Sequence, residues 1–193
     1  MTGRLRDESG QSLIEFAMVL PLLVVIVLGI AETGYALLEQ HVVTKLSREG
    51  SNLISRDVSL QDATSAMKNM KTRPVDFDNG SRLIFSVVKK VATAGTPNFD
   101  KVILYQRYEY GTLSAASALK TKGSATFGGA PNYEAVNSDT NTNLQLATVP
   151  ASLVLASGGM AYVTEVYTKY NLITPLDRFG ITLPTKLYSI AYF

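Results

Sequence analysis

Residues 13–31 read LIEFAMVLPLLVVIVLGIA, nineteen residues that carry a single charge, Glu15. No other feature limits the fold as much. A helix of about 20 apolar residues crosses a hydrocarbon core of ~30 Å, and this run has that length. A core helix of a small soluble domain would be amphipathic, with one apolar stripe and one polar face. This run is apolar on every side except at Glu15. A cleaved secretory signal has an apolar region of about 7–15 residues followed by a small-residue cleavage site. Here the run passes into AETGYALLEQHVVTKL, which keeps a helical pattern and offers no such site. The segment therefore reads as a membrane helix retained in the mature chain. Arg4 and Arg6 precede it, and no Lys or Arg follows before Lys45. That asymmetry predicts a cytoplasmic amino terminus and an exported remainder.

Two residues inside the run stand out. Pro21 lacks a backbone donor and crowds the preceding turn, so a kink is expected near residues 17–19. Glu15 lies near the start of the run, and a carboxylate at the centre of a membrane helix costs about 2.5–3.5 kcal/mol on insertion scales. No Lys or Arg lies within a helical turn or two of it. A shallow Glu15 would simply reach the headgroups. The alternative is a cationic partner, which a new α-amino group would supply if the chain were cut just before the run.

A cut site is visible in Gly10-Gln11-Ser12-Leu13-Ile14-Glu15-Phe16: a glycine, four residues, then Glu-Phe at the head of the apolar segment. This pattern resembles the class III leader of type IV pilins in the G/xxxxEF form used by the tight-adherence (Tad) pilus. The phrase GQSLIEFAMVLPLLVVIVLGIAETGYAL is similar to the opening of the TadE-like minor pilins and pseudopilins, in which a proline inside the helix also recurs. The resemblance covers residues 1–56 and the remainder only in outline. It implies cleavage after Gly10 by a prepilin peptidase, so that Gln11 becomes the first residue and Glu15 the fifth. Gly10 suits a protease that must thread the strand, because it has no side chain. The new amine, with a pKa of about 7.7–8.0 in model compounds, would be largely cationic at neutral pH. Paired with Glu15 beside Phe16, in the same or an adjacent subunit, it would set axial register rather than add net stability. The implied partners are the peptidase, the major pilin and other minor pilins, the pilus assembly machinery and membrane lipid. The implied location is the bacterial cytoplasmic membrane, then the pilus on the cell surface.

The same reading divides the chain into a leader (1–10), an amino-terminal helix (11–56) and a globular extracytoplasmic domain (57–193). Helical spacing continues beyond the membrane run through Tyr35, Leu38, Val42, Leu46, Leu53 and Ile54, with Gly50 and Ser51 expected to weaken the end. As one helix, residues 11–56 would be about 69 Å long. A second helix is expected over 59–72, with Ser59 as N-cap and Asp62 as an imperfect capping box. Residues 82–92, 101–111, 160–173 and 185–193 carry β-branched and aromatic residues in partial alternation and read as strands, the first two joined as a hairpin. Residues 111–158 are small and polar and read as a long loop region, with a short helix expected at 147–155. The predicted class is α+β, an antiparallel sheet of about four strands packed on the long amino-terminal helix.

Composition excludes several chemistries. The chain has no cysteine, hence no disulfide framework and no thiolate ligand or nucleophile, and His41 is its one histidine. Eighteen Lys and Arg against sixteen Asp and Glu leave a net charge of +2, which gives no footprint for nucleic acid. Asp139-x-Asn141-x-Asn143 imitates the start of a calcium loop, but Leu144 and Pro150 stand where the loop needs glycine and glutamate. A solvated loop is the better account. Asp76, Asp78 and Asn79 read as turn formers, and His41 as a surface residue. Tyrosines 105, 108, 110, 162, 167, 170, 188 and 192 read first as half-buried strand packing. Nothing matches a phosphate loop or a nucleophile elbow. The expectation is a protein without catalysis, cofactor or metal. The competing reading is an uncleaved, membrane-anchored extracytoplasmic protein that binds a glycan or a secretion-system partner through its tyrosine-rich sheet.

Overall fold

The computed structural model describes residues 8–70, 72–181 and 184–193. Arg4 and Arg6, which carry the orientation argument, lie outside them, as does most of the leader. Helix α1 spans Glu8–Ile54, 47 residues, and continues without interruption through Pro21. Helix α2 spans Leu60–Asn69. Strands β1 (Ser81–Lys90), β2 (Val102–Gly111), β3 (Met160–Lys169) and β4 (Lys186–Tyr192) form one antiparallel sheet in the order β2-β1-β3-β4. The architecture is α+β, a long amino-terminal helix whose carboxy-terminal part packs on a four-stranded antiparallel sheet. The chain divides into two units: one holds α1 as far as Leu38 together with Asn171–Pro184, the other Glu39–Tyr170 and Thr185–Phe193.

In the larger unit, the carboxy-terminal part of α1 lies on one face of the sheet. Val43, Leu46 and Ile54 of α1, with Leu60, Ala63 and Met67 of α2, bury against Leu83, Phe85 and Val87 of β1 and Val166 of β3. Fully burying a Val, Leu, Ile or Phe side chain stabilises by about 1.5–3 kcal/mol, so this stripe fixes the helix on the sheet. Small residues let the two backbones approach. Ser47 shares a hydrogen bond with Ser189 (2.9 Å), the Ser51 hydroxyl donates to the Ala191 carbonyl (2.9 Å), and the Gln40 amide donates to the Tyr188 carbonyl (2.9 Å). Gly50 is buried in this contact, where a Cβ would stand 2.7 Å from Thr164 Cγ2 and 3.1 Å from Phe85 Cε1. Gly50 and Ser51 thus do not weaken the end of the helix. They are where it touches the sheet, and the helix runs on to Ile54.

Helix α2 starts as its sequence predicts. The Ser59 hydroxyl accepts from the Asp62 amide (3.1 Å) and donates to the Asp62 carboxylate (2.7 Å). A full box would instead have the acid reach back to the N-cap amide.

The opposite face of the sheet is covered by residues 112–158, which sequence alone presents as a polar loop. Leu119, Leu146 and Leu153 from that stretch pack on Val88, Leu104, Ala161 and Val163. The helix expected at 147–155 does not form. The Leu146 and Ala147 amides donate to the Val102 and Lys120 carbonyls (3.0 and 2.9 Å), and Pro150 begins a turn closed by the Leu153 amide (2.9 Å). The stretch is held as turn and extended chain instead, and the helical turn described between residues 112 and 158 is a 3-10 turn at Thr142–Leu144. Buried Asn98 ties the loop down, donating to the Ser138 and Asn141 carbonyls (2.7 and 3.0 Å) and accepting from Gln145 (2.9 Å).

Candidate functional site

The residues singled out in the sequence lie along the first turns of α1. Gly10 and Gln11 are helical and exposed. The Gln11 side-chain amide donates to the Glu15 carboxylate at 3.0 Å, an i,i+4 contact that the helical repeat dictates. Phe16 is 62% exposed, and Pro21 sits on an exposed turn. Every residue from 10 to 24 is exposed, and the most apolar stretch of α1 has none of its residues buried within the protein. That observation sets it apart from a core helix: among the described residues nothing covers Leu13, Ile14, Met18, Leu22 or Leu23. The helix is long and apolar enough to cross a bilayer.

Glu32, the first acid after the apolar run, is 1% exposed. Its carboxylate accepts from the amides of Ile173 and Thr174 (3.2 and 2.8 Å) and from the Thr174 hydroxyl (2.5 Å). These bonds hold Ile173 and Thr174 on the helix within the smaller unit, and β3 ends at Lys169 rather than reaching residue 173. Sequence reasoning missed Glu32. The available signal was an acid one residue past the apolar run with no cation nearby, the arrangement of a group that must find donors in a distant segment.

In the larger unit a buried polar cluster surrounds Glu165 and Arg107. Glu165 Oε1 accepts from the Ala118 amide (2.8 Å) and the Tyr188 hydroxyl (3.3 Å), while its buried Oε2 has no hydrogen-bond partner among the described residues. Burial pushes the Glu165 carboxyl up, against the hydroxyl, amide and Arg107 interactions that pull it down. The Arg107 guanidinium donates to Ser86, Ser117 and the Leu119 carbonyl, and burial pushes its pKa down. The cluster fastens residues 116–119 onto the sheet. Among the described residues there is no group of three or more His, Asp or Glu able to hold a metal ion. At the calcium-like sequence, Asn141 Oδ1 accepts from the Asn143 amide (3.1 Å), a local turn. Asp76 likewise accepts from the Asp78 amide (3.0 Å). His41 is exposed. The tyrosines are mostly half-buried, with Tyr108 stacked on Tyr133 and Tyr167 on Tyr188 at 4.2 and 4.5 Å between ring centres. Tyr170 is buried and Tyr192 is 37% exposed.

The profile of the TadE-like protein family matches residues 10–52, which run from the glycine of the Gly-x-x-x-x-Glu-Phe motif almost to the end of α1. No curated protein and no solved structure matches the chain. The family is structural rather than catalytic, and it implies membrane anchoring and partners in pilus assembly. Over residues 10–52 this chain is similar to the TadE-like proteins, a pilin-like family associated with the Tad pilus.

Proposed function

We propose that the chain is a minor pilin or pseudopilin, cut after Gly10 by a prepilin peptidase and then taken into a Tad-type filament at its tip or base, or used to prime its assembly. Residues 1–10 are the leader, 11–56 the assembly helix and 57–193 an extracytoplasmic head. The amino terminus starts in the cytoplasm of a bacterium, and the head is displayed outside the membrane. The single observation that carries this reading is the exposed apolar surface of α1 from residue 13 to residue 24. In the bilayer lipid covers it; in a filament the helices of neighbouring subunits do. The exchange costs little hydrophobic energy because lipid tails and apolar side chains are equally apolar. Glu15 then pairs with the α-amino group of Gln11, in its own or an adjacent subunit, and specifies the stagger of the bundle. In the uncut chain the Glu15 carboxylate already points toward Gln11, the residue that cleavage turns into the terminus. Phe16 packs next to this pair, and Pro21 bends the helix.

The test is the amino terminus of the protein isolated from cells, read by mass spectrometry. Gln11 supports the reading; Met1 overturns it and favours an uncleaved anchored protein. Glu15→Ala should leave membrane insertion and cleavage intact while lowering the amount of the protein in sheared filaments. Wild-type levels there would remove the pairing role.

A further inference from the structure

We infer that Asn171–Ile181 is a second membrane contact: a loop clipped to α1 that seats Ile173, Phe179 and Ile181 in the headgroup–acyl boundary of the bilayer where the helix leaves it. The inference requires α1 to span the membrane but neither cleavage nor filament entry.

Four observations support it. First, the loop exposes large apolar groups where a soluble loop would carry polar ones. Ile173 is 51% exposed, Phe179 55% and Ile181 37%, while Leu176 is buried. Second, these residues continue the lipid-facing surface of the helix. Leu176 and Ile181 line an apolar groove with Ile26, Gly29, Ile30 and Leu37 of α1. Ile26 and Ile30 are themselves 53% and 69% exposed and belong to the run that would face lipid. Third, the depth fits. If the run ends at Ala31, Ile26 lies about 7.5 Å inside that end at 1.5 Å per residue, within the ~5–10 Å to which interfacial apolar faces bury.

Fourth, several of the loop's backbone amides are paired within the protein, as an apolar medium favours, since unpaired backbone donors are costly in lipid. The Ile173 and Thr174 amides donate to Glu32, and Pro175 has no amide hydrogen. Pro175–Phe179 forms a 3-10 turn ending at Gly180, whose φ of 75° suits glycine. The Gly180 and Ile181 amides donate to the Asp177 and Leu176 carbonyls (3.1 and 3.3 Å). Exposed Asp177 and Arg178 supply the charges for the headgroup side. Glu32, one residue past the apolar run, is the clip: its charge is consumed by the loop instead of facing the membrane edge.

The chain contains no tryptophan, so one introduced indole reports one position. The full chain would be reconstituted in phosphatidylcholine–phosphatidylglycerol nanodiscs, with and without lipids brominated close to the headgroup or deep in the acyl chain. Phe179→Trp should emit at short wavelength and be quenched best by the shallow bromines. Val24→Trp should be quenched best by the deep ones, and Val154→Trp, at a position 89% exposed, by neither. Glu32→Ala in the Phe179→Trp background should lower the shallow quenching. A quenched Val24→Trp beside a water-like, unquenched Phe179→Trp overturns the loop contact while leaving the anchor in place. A blue-shifted Phe179→Trp that lipid does not quench, and whose shift grows with the number of proteins per disc, overturns it in favour of a second copy of this chain in the groove. Unchanged quenching after Glu32→Ala overturns the clip.

Discussion

Replacing Gly50 with alanine would place a methyl group 2.7 Å from Thr164 Cγ2, 3.0 Å from Thr164 Oγ1 and 3.1 Å from Phe85 Cε1. In an isolated helix the change would stabilise by about 1 kcal/mol, the helix-propensity gap between glycine and alanine. Here the helix lies on the sheet, and neither neighbour can yield easily. Thr164 and Phe85 are both fully buried, and threonine is stiff at χ1 because it branches at Cβ. Overpacking of a well-filled site costs about 1–3 kcal/mol, and the upper part of that range applies where both neighbours are locked. The net expectation is a loss of about 1–2 kcal/mol. For a chain of this size 1 kcal/mol moves the midpoint by roughly 2–4 °C, so Tm should fall by about 2–8 °C. The assay is thermal unfolding of the full chain in detergent micelles, followed by tyrosine near-UV circular dichroism. Thr164→Ala supplies the control. It removes the clashing atoms together with a buried hydroxyl that has no hydrogen-bond partner among the described residues. The double variant should therefore be at least about 1 kcal/mol more stable than the two single effects summed, the coupling expected of residues in contact. A higher Tm for Gly50→Ala alone would refute the reasoning, because propensity would then outweigh a contact that is not there.

Two further outcomes follow from the larger unit. The folded form holds the Glu165 carboxyl above its unfolded value, so the fold favours the protonated acid and loses stability as pH rises from about 4.5 through the raised value. Glu165→Gln should flatten that decline in chemical-denaturant titrations across the acid-to-neutral range, and parallel pH profiles for the two proteins would exclude the burial argument. Leu119, 1% exposed in a stretch that looks like solvated loop, should cost about 2–5 kcal/mol when cut to alanine. A change under about 0.5 kcal/mol, the range of ordinary surface positions, would show that the loop is not part of the core.

What sequence determined by itself is what neighbouring residues decide among themselves. A nineteen-residue run, apolar but for one acid, specifies a helix without an amphipathic pattern, because no polar face exists to turn outward. Ser59 with Asp62 specifies the start of α2, because a cap is made within one turn. The alternation of β-branched and aromatic residues specifies four strands, and Gly10, Glu15 and Phe16 specify the family motif through spacing alone. Tertiary structure decided the rest, and in each case the deciding partner lies far along the chain. Gly50 reads locally as a weak point and is a contact only because β1 and β3 arrive beneath it. Residues 112–158 read as polar loop because few apolar side chains are scattered among many small ones, yet Leu119, Leu146 and Leu153 converge on one sheet face. Glu32 and Glu165 look like ordinary acids until Thr174 and Ala118, 142 and 47 residues away, supply the amides that hold them. Periodicity and capping act over a few residues, whereas the burial of a carboxylate depends on which distant backbone donors the strand order brings to it.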